Sequence, residues 1–230
     1  MTDDRVLWIT GASAGIGAAT ARLAAATGWR LVLAARSLDK LTALADELGG
    51  PDRAIAVECD VTSWDDQQAA LTITLEHFGR LDAAWANAGH GGARGFLAET
   101  PEFWRGMVLT NVYGAALTIR AAIPALRDSR GHLLLTGSVA GRRNIPGSLY
   151  SATKHAVHAM AESVRQELDG SGVRVTVIAP GITDTGFFAQ VPLDAPLQPD
   201  DIARAVLYAL EQPPHVDINE ILVRPTAQEL

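Results

Sequence analysis

At 230 residues the chain is long enough for one large domain. With 48% apolar and 20% charged residues it can bury a sizeable core, and its net charge of −7 argues against the basic stripe of a nucleic-acid surface. The single cysteine, Cys59, excludes an internal disulfide. No cationic and apolar leader opens the chain, and no unbroken apolar run approaches the roughly 18 residues that cross a bilayer. A cytoplasmic protein with neither nucleic-acid nor membrane partners is therefore expected.

The first apolar run, Val6–Thr10, predicts a strand and leads into a glycine turn and a helical pattern over Gly15–Thr27. Alternation continues with strands over Arg30–Ala34, Ala54–Glu58, Leu81–Ala86, His132–Thr136, Arg174–Ile178 and Glu220–Val223. Between them lie helical patterns over Leu38–Leu48, Trp64–Phe78, Pro101–Leu126, Ser148–Leu168 and Pro199–Glu211. The strands read as near-continuous apolar runs, as in Leu133-Leu134-Leu135, which is expected when helices cover both faces of a sheet. Strand and helix alternating in this way define parallel βαβ units. The fold class is α/β: a doubly wound, Rossmann-type parallel sheet of about seven strands in a single domain spanning the chain. The Pro-rich stretch from Pro180 to Pro199 is too short for a domain boundary and suits a loop over a site.

Directly after the first strand stands Gly11-Ala12-Ser13-Ala14-Gly15-Ile16-Gly17. Glycines there permit a tight turn and let backbone N–H groups approach a pyrophosphate at the positive end of a helix. The spacing is G-x3-G-x-G, which departs from the commonest dinucleotide fingerprint. At the end of the second strand an acid would hold the ribose 2′-hydroxyl of NAD, whereas an arginine accommodates the 2′-phosphate of NADP. This chain has Arg36-Ser37 there, with no acid before Asp39, so NADP(H) is favoured over NAD(H). Asp60, closing the third strand, is placed to hold the adenine amine.

Tyr150 and Lys154 are four residues apart at the start of a helical pattern and share a face. Lowering a phenol of pKa ~10 to neutrality takes about 4 kcal/mol. One ammonium at ~4 Å contributes about that much at an effective dielectric of 20. Lys154 is thus expected to lower the Tyr150 pKa and make it a proton donor or acceptor at a substrate oxygen.

With these stand Asn87-Ala88-Gly89 after the fourth strand, Asn111 in Thr110-Asn111-Val112-Tyr113-Gly114, Ser138 in Thr136-Gly137-Ser138-Val139-Ala140-Gly141, and Pro180-Gly181 after the sixth strand. Glycine turn, Asn, Ser, Tyr-x3-Lys and Pro-Gly in this order resemble a short-chain dehydrogenase/reductase over essentially the whole chain. The resemblance implies a catalytic set of Asn111, Ser138, Tyr150 and Lys154. Ser138 orients the substrate oxygen, Tyr150 exchanges the proton, Lys154 binds the nicotinamide ribose, and Asn111 holds a water linking Lys154 to solvent. It further implies cofactor contacts from Val61 beside Asp60, from Asn87, Ala88 and Gly89, and from Pro180, Gly181, Ile182 and Thr185. No metal is implied.

Three features depart from the family pattern. Ala86 stands where a second asparagine is common, and Trp85 is bulky for its strand. Ser138 and Tyr150 are also 12 positions apart, one fewer than usual, which the Arg142–Ser148 loop is expected to absorb with a turn at Pro146-Gly147.

A short substrate lid is expected near residues 183–198, with Phe187 and Phe188 facing either an apolar substrate or the body of the domain. Arginines at Arg94 or in Arg142-Arg143-Asn144 would suit a carboxylate, and His90 reads as a polar loop residue. Gln198-Pro199-Asp200-Asp201, Pro214-His215-Val216-Asp217 and Arg224-Pro225-Thr226 resemble the branch that holds NADP-dependent 3-hydroxy-acid (serine-type) dehydrogenases. The family implies a small carbonyl or alcohol substrate and a homotetramer or homodimer pairing the two long helices. Two other readings share the fold: an NADP-binding redox-sensing regulator or scaffold, which would have no need of the acid/base set, and a nucleotide-sugar epimerase, which usually carries a larger C-terminal part.

Overall fold

A computed structural model describes residues 4–186 and 191–228. Seven parallel strands form one sheet in the order β3-β2-β1-β4-β5-β6-β7. They are β1 Val6–Thr10, β2 Arg30–Ala35, β3 Ala54–Glu58, β4 Ala83–Ala86, β5 His132–Thr136, β6 Arg174–Pro180 and β7 Glu220–Val223. The helices are α1 Gly15–Ala26, α2 Leu38–Glu47, α3 Trp64–Phe78, α4 Pro101–Val108, α5 Ala115–Ser129, α6 Leu149–Glu167 and α7 Pro199–Leu210. This is the single-domain Rossmann architecture expected from the alternation of apolar runs.

Side chains alternate across the sheet, as the two-residue strand period requires. Val6 and Trp8 of β1 enter one core with residues of α3, α5 and α6. Leu7 and Ile9 enter the other with α1, α2 and α7. Trp85 of β4 lies fully buried in this second core with Ala18, Ala21 and Ala24, so the small residues of α1 share the layer that houses the bulky indole.

Element boundaries moved where polar groups intervene. β4 begins at Ala83 rather than Leu81 because Asp82 turns its carboxylate to accept the Val6 amide and pairs with Arg80. The pattern over Pro101–Leu126 continues to Ser129, but a π-helical segment at Leu109–Gly114 divides it into α4 and α5. Over Pro101–Ser129 the chain is long and apolar enough to cross a membrane by length and composition alone. Thr110 and Asn111 interrupt its apolar run. Leu117, Ala121, Ala122 and Leu126 are among its buried positions, packed inside the fold, so it serves as a core helix.

Candidate active site

The strand order reverses between β1 and β4, and ligand crevices in such sheets open there, at the carboxyl ends of the strands. A cleft of about 610 Å³ occupies this position. Every residue assigned above to cofactor or catalysis lines it except Asn111, which lies just beneath.

The glycine turn forms its first wall. Gly11 and Gly15 have φ of 68° and 56°, the left-handed region where glycine is favoured. Gly17 has no room for a side chain, since a Cβ there would fall 2.4 Å from the Gly11 carbonyl oxygen. α1 starts after Ala14 with no side-chain cap and no acid in its first turn, so its leading amides and positive dipole end are open to an anion. This donor set fits a pyrophosphate.

At the far end Arg36 is exposed, lines the cleft and has no partner among the described residues. Ser37 is the N-cap of α2 yet its hydroxyl makes no cap bond, which leaves it for a ligand. Asp60 also lines the cleft, with one carboxylate oxygen engaged by the Thr62 amide at 2.9 Å and hydroxyl at 2.8 Å. Val61 packs on Gly114, where a Cβ would come within 2.8 Å of it. Cys59 is buried and burial pushes its thiol up to about 12, which keeps it protonated.

Asn87 and its neighbours are tied down by two threonines. Asn87 donates to the Thr10 carbonyl at 3.0 Å and accepts the Thr136 hydroxyl at 3.1 Å. The Thr10 hydroxyl bonds the Trp85 carbonyl and receives the Asn87 and Ala88 amides. β1, β4 and β5 are thereby tied at the cleft floor.

Ser138 caps the short helical turn Val139–Gly141, its hydroxyl accepting the Ala140 amide at 3.1 Å and hydrogen-bonding Tyr150. α6 opens with Ser148 as N-cap, accepting the Ser151 amide at 3.2 Å, and this fixes the turn that carries Tyr150. The shorter Ser–Tyr spacing is taken up as expected: Gly147 has φ of 67°, and its carbonyl accepts the Gly95 amide at 2.8 Å.

The electrostatics differ from expectation. The Lys154 ammonium lies 5.6 Å from the Tyr150 ring centre and donates to the Thr136 carbonyl at 2.7 Å. Burial raises the Tyr150 phenol to about 12, the Ser138 hydrogen bond working the other way. Burial also lowers Lys154 to about 8. The expected lowering of the phenol is absent from the cofactor-free protein because desolvation outweighs an ammonium held on a backbone carbonyl. The pair rests with the phenol protonated and, at neutral pH, the lysine still charged.

Asn111 is 1% exposed within the π-helical segment. Its amide donates to the His90 carbonyl at 2.9 Å and to the Thr153 hydroxyl at 3.1 Å, and its oxygen accepts the His90 amide at 3.0 Å. His90 is thus a loop residue, stacked edge-on against Phe103. Arg142 is bound to Glu220 and does not line the cleft, whereas Arg94 does. Phe187 and Phe188 lie outside the described residues. Gln228, which carried no signal in the sequence, also lines the cleft and accepts the Ile182 amide at 2.8 Å.

The order of strands, the open helix terminus and the glycine cradle define a dinucleotide-binding α/β protein. The short chain dehydrogenase family model matches residues 5–195. An uncharacterized oxidoreductase of Staphylococcus aureus is 40% identical over 226 residues, covering 96% of this chain and 97% of its own. Among solved structures, an alcohol dehydrogenase from the archaeon Thermococcus sibiricus complexed with 5-hydroxy-NADP superposes with a TM-score of 0.91 at 33% identity, covering 98% of each chain. Serine dehydrogenase from Escherichia coli superposes with a TM-score of 0.88 at 29% identity, covering 98% of this chain and 100% of its own. The chain belongs to the short-chain dehydrogenase family of oxidoreductases.

Proposed function

We propose that the protein is an NADP(H)-dependent oxidoreductase that interconverts a carbonyl and a secondary alcohol, with Tyr150 as acid/base. The observation that carries this reading is the meeting of Ser138, Tyr150 and Lys154 in the same cleft that the glycine cradle lines.

The nicotinamide supplies or takes up the hydride when bound. The residues that would hold it are the amides of the Gly11–Gly17 turn, Arg36 and Ser37 at the 2′-phosphate, Asp60 and Val61 at the adenine, and Asn87–Gly89, Pro180–Ile182 and Thr185 further along. Lys154 would bind the ribose hydroxyls by turning from the Thr136 carbonyl. Ser138 donates to the substrate oxygen and orients it. Tyr150, protonated at rest, gives its proton to that oxygen in reduction and receives it in oxidation. Asn111, locked beside Lys154, keeps the water path by which the lost proton is replaced.

Residues 183–198 would serve as the lid. The segment is pinned at its base, where Thr183 bridges Leu197 and the Ile182 carbonyl accepts the Leu197 amide at 3.0 Å. Arg94, without a partner among the described residues, lines the cleft and gives an anionic substituent a cation there. It supports a small hydroxy- or keto-acid, including a 3-hydroxy acid, as substrate. A homotetramer or homodimer and a cytoplasmic location go with this reading.

The test is a panel of carbonyls and hydroxy acids assayed by nicotinamide absorbance with both cofactors. Turnover preferring NADPH is expected. Silence across the panel with NADPH still bound would replace this reading with that of a redox-sensing regulator.

A further inference from the structure

α6 carries Tyr150, Lys154 and His158 at four-residue intervals, so the three share one helix face. His158 is 7% exposed and takes no part in the chemistry proposed above. Its Nε2 accepts the Ser138 amide at 3.5 Å. Its ring fills the room left by the two glycines that flank the serine turn. A Cβ at Gly137 would come within 2.4 Å of Nε2, and one at Gly141 within 2.5 Å of Cδ2. On the opposite edge, Nδ1 faces Glu220 at 3.8 Å. Glu220 opens β7 and receives Arg142 Nε at 3.0 and 2.9 Å on its two oxygens. Arg142 is the residue that ends the short turn begun by Ser138. The contacts therefore leave the serine turn through its amide, cross the imidazole and the carboxylate, and return to the same turn through Arg142.

We infer that His158 is a positioning residue for Ser138: a neutral imidazole, protonated on Nδ1 toward Glu220, that holds the serine turn by accepting its amide and releases it on becoming charged. The inference rests on the proposed carbonyl chemistry for its effect on turnover, though not for its structural half. An Nε2 that accepts must carry no proton, which fixes the tautomer. A second proton would set N–H against N–H in a buried site, and the turn would have to move.

The charged groups around the ring are Glu220 on β7, Arg142 after β5 and Lys154 one turn back on α6. Burial lowers the histidine, Glu220 pulls it up, Arg142 and Lys154 push it down, and it ends below its ordinary value. The turn is then locked at neutral pH. Positioning is complete above the ordinary histidine range and is lost as pH falls through the lowered value.

The experiment compares the pH profile of carbonyl reduction at saturating NADPH for the wild type, His158→Gln and His158→Leu. A glutamine oxygen can accept the same amide but cannot titrate. His158→Gln should stay within about threefold of wild-type kcat at neutral pH and lose the acid limb, while His158→Leu should lose about tenfold in kcat with cofactor KM little changed. An acid limb in His158→Gln identical to the wild type overturns the proposal, even if His158→Leu fails to fold. Imidazole 15N NMR of the substrate-free wild type gives an arm independent of turnover. Proton on Nδ1, with the Ser138 amide shift following the ring's titration, supports the clamp. Proton on Nε2, or an indifferent Ser138 amide, overturns it. A chain that binds NADPH and reduces no carbonyl would sink the oxidoreductase reading alone, leaving the NMR result to decide this one.

Discussion

Lys154 donates its ammonium to the carbonyl of Thr136 at 2.7 Å, while the Tyr150 ring centre lies 5.6 Å away. The lysine is 4% exposed, and burial holds it at about 8 instead of its usual 10.5. A group whose folded pKa is lowered this way costs stability while it is charged, and the cost is relieved as pH rises through about 8. Replacing Lys154 with methionine, which keeps the volume without the charge, should therefore raise the melting temperature of the cofactor-free protein at neutral pH. A gain on the order of 1 kcal/mol is expected, because loss of the Thr136 hydrogen bond offsets part of the relief. The same variant should be inactive. A lowered melting temperature measured by calorimetry would contradict the electrostatic account.

Removing only the phenolic oxygen separates binding from chemistry. Tyr150→Phe should bind NADPH with little change and lower carbonyl reduction by about two or more orders of magnitude. In the wild type, burial keeps the phenol protonated to about 12 and Lys154 charged to about 8, so reduction should be steady through neutrality and decline above about 8 as the ammonium is lost. Both follow from fluorescence titration of NADPH and initial rates across pH. Retained turnover in Tyr150→Phe would give the proton to another group.

Much of this site was legible because its residues stand at strand ends, where the apolar runs stop and a glycine, asparagine or serine follows. Gly11, Asn87 and Ser138 stand at such places, the last two given a role only by the family resemblance, and the sheet brings them together along one cleft. The electrostatics were not legible. A Tyr-x3-Lys spacing places an ammonium near a phenol, but it shows neither the Thr136 carbonyl that captures the ammonium nor the burial of both groups. The π-helical segment at Leu109–Gly114 was equally hidden, since one helical period runs through it. Thr10 and Thr136 end their strands, and only the pairing of β1, β4 and β5 reveals that their hydroxyls hold Ala88 and Asn87 in place.

Arg36 is the single cation at the end of β2 and has no partner to lose among the described residues. Arg36→Asp should therefore leave the fold intact while weakening NADPH far more than NADH. A charge-assisted hydrogen bond contributes about 1.5–3 kcal/mol, so the ratio of the two dissociation constants should move at least tenfold toward NADH. Equal losses for both cofactors in parallel titrations would remove Arg36 from the 2′-phosphate.

Gln228 acts from the far end of the chain. Its Oε1 accepts the Ile182 amide at 2.8 Å, its own amide bonds the Pro225 carbonyl at 3.0 Å, and Arg224 donates to its carbonyl. The C-terminal turn is so close to Gly181 that a Cβ there would fall 2.4 Å from the glutamine oxygen. Ile182 and Thr185 follow directly, so the tail sets the position of the segment assigned to the nicotinamide. Gln228→Ala leaves the Ile182 amide without its acceptor, which costs about 1–3 kcal/mol for a buried donor and less where water enters. Cofactor KM should rise about fivefold or more, with a smaller fall in kcat, whereas Gln228→Glu keeps the acceptor oxygen and should restore the wild-type KM. Steady-state kinetics of the two variants against NADPH decide the matter. Equal KM values in alanine and glutamate variants would mean that the tail packs on the site without positioning it.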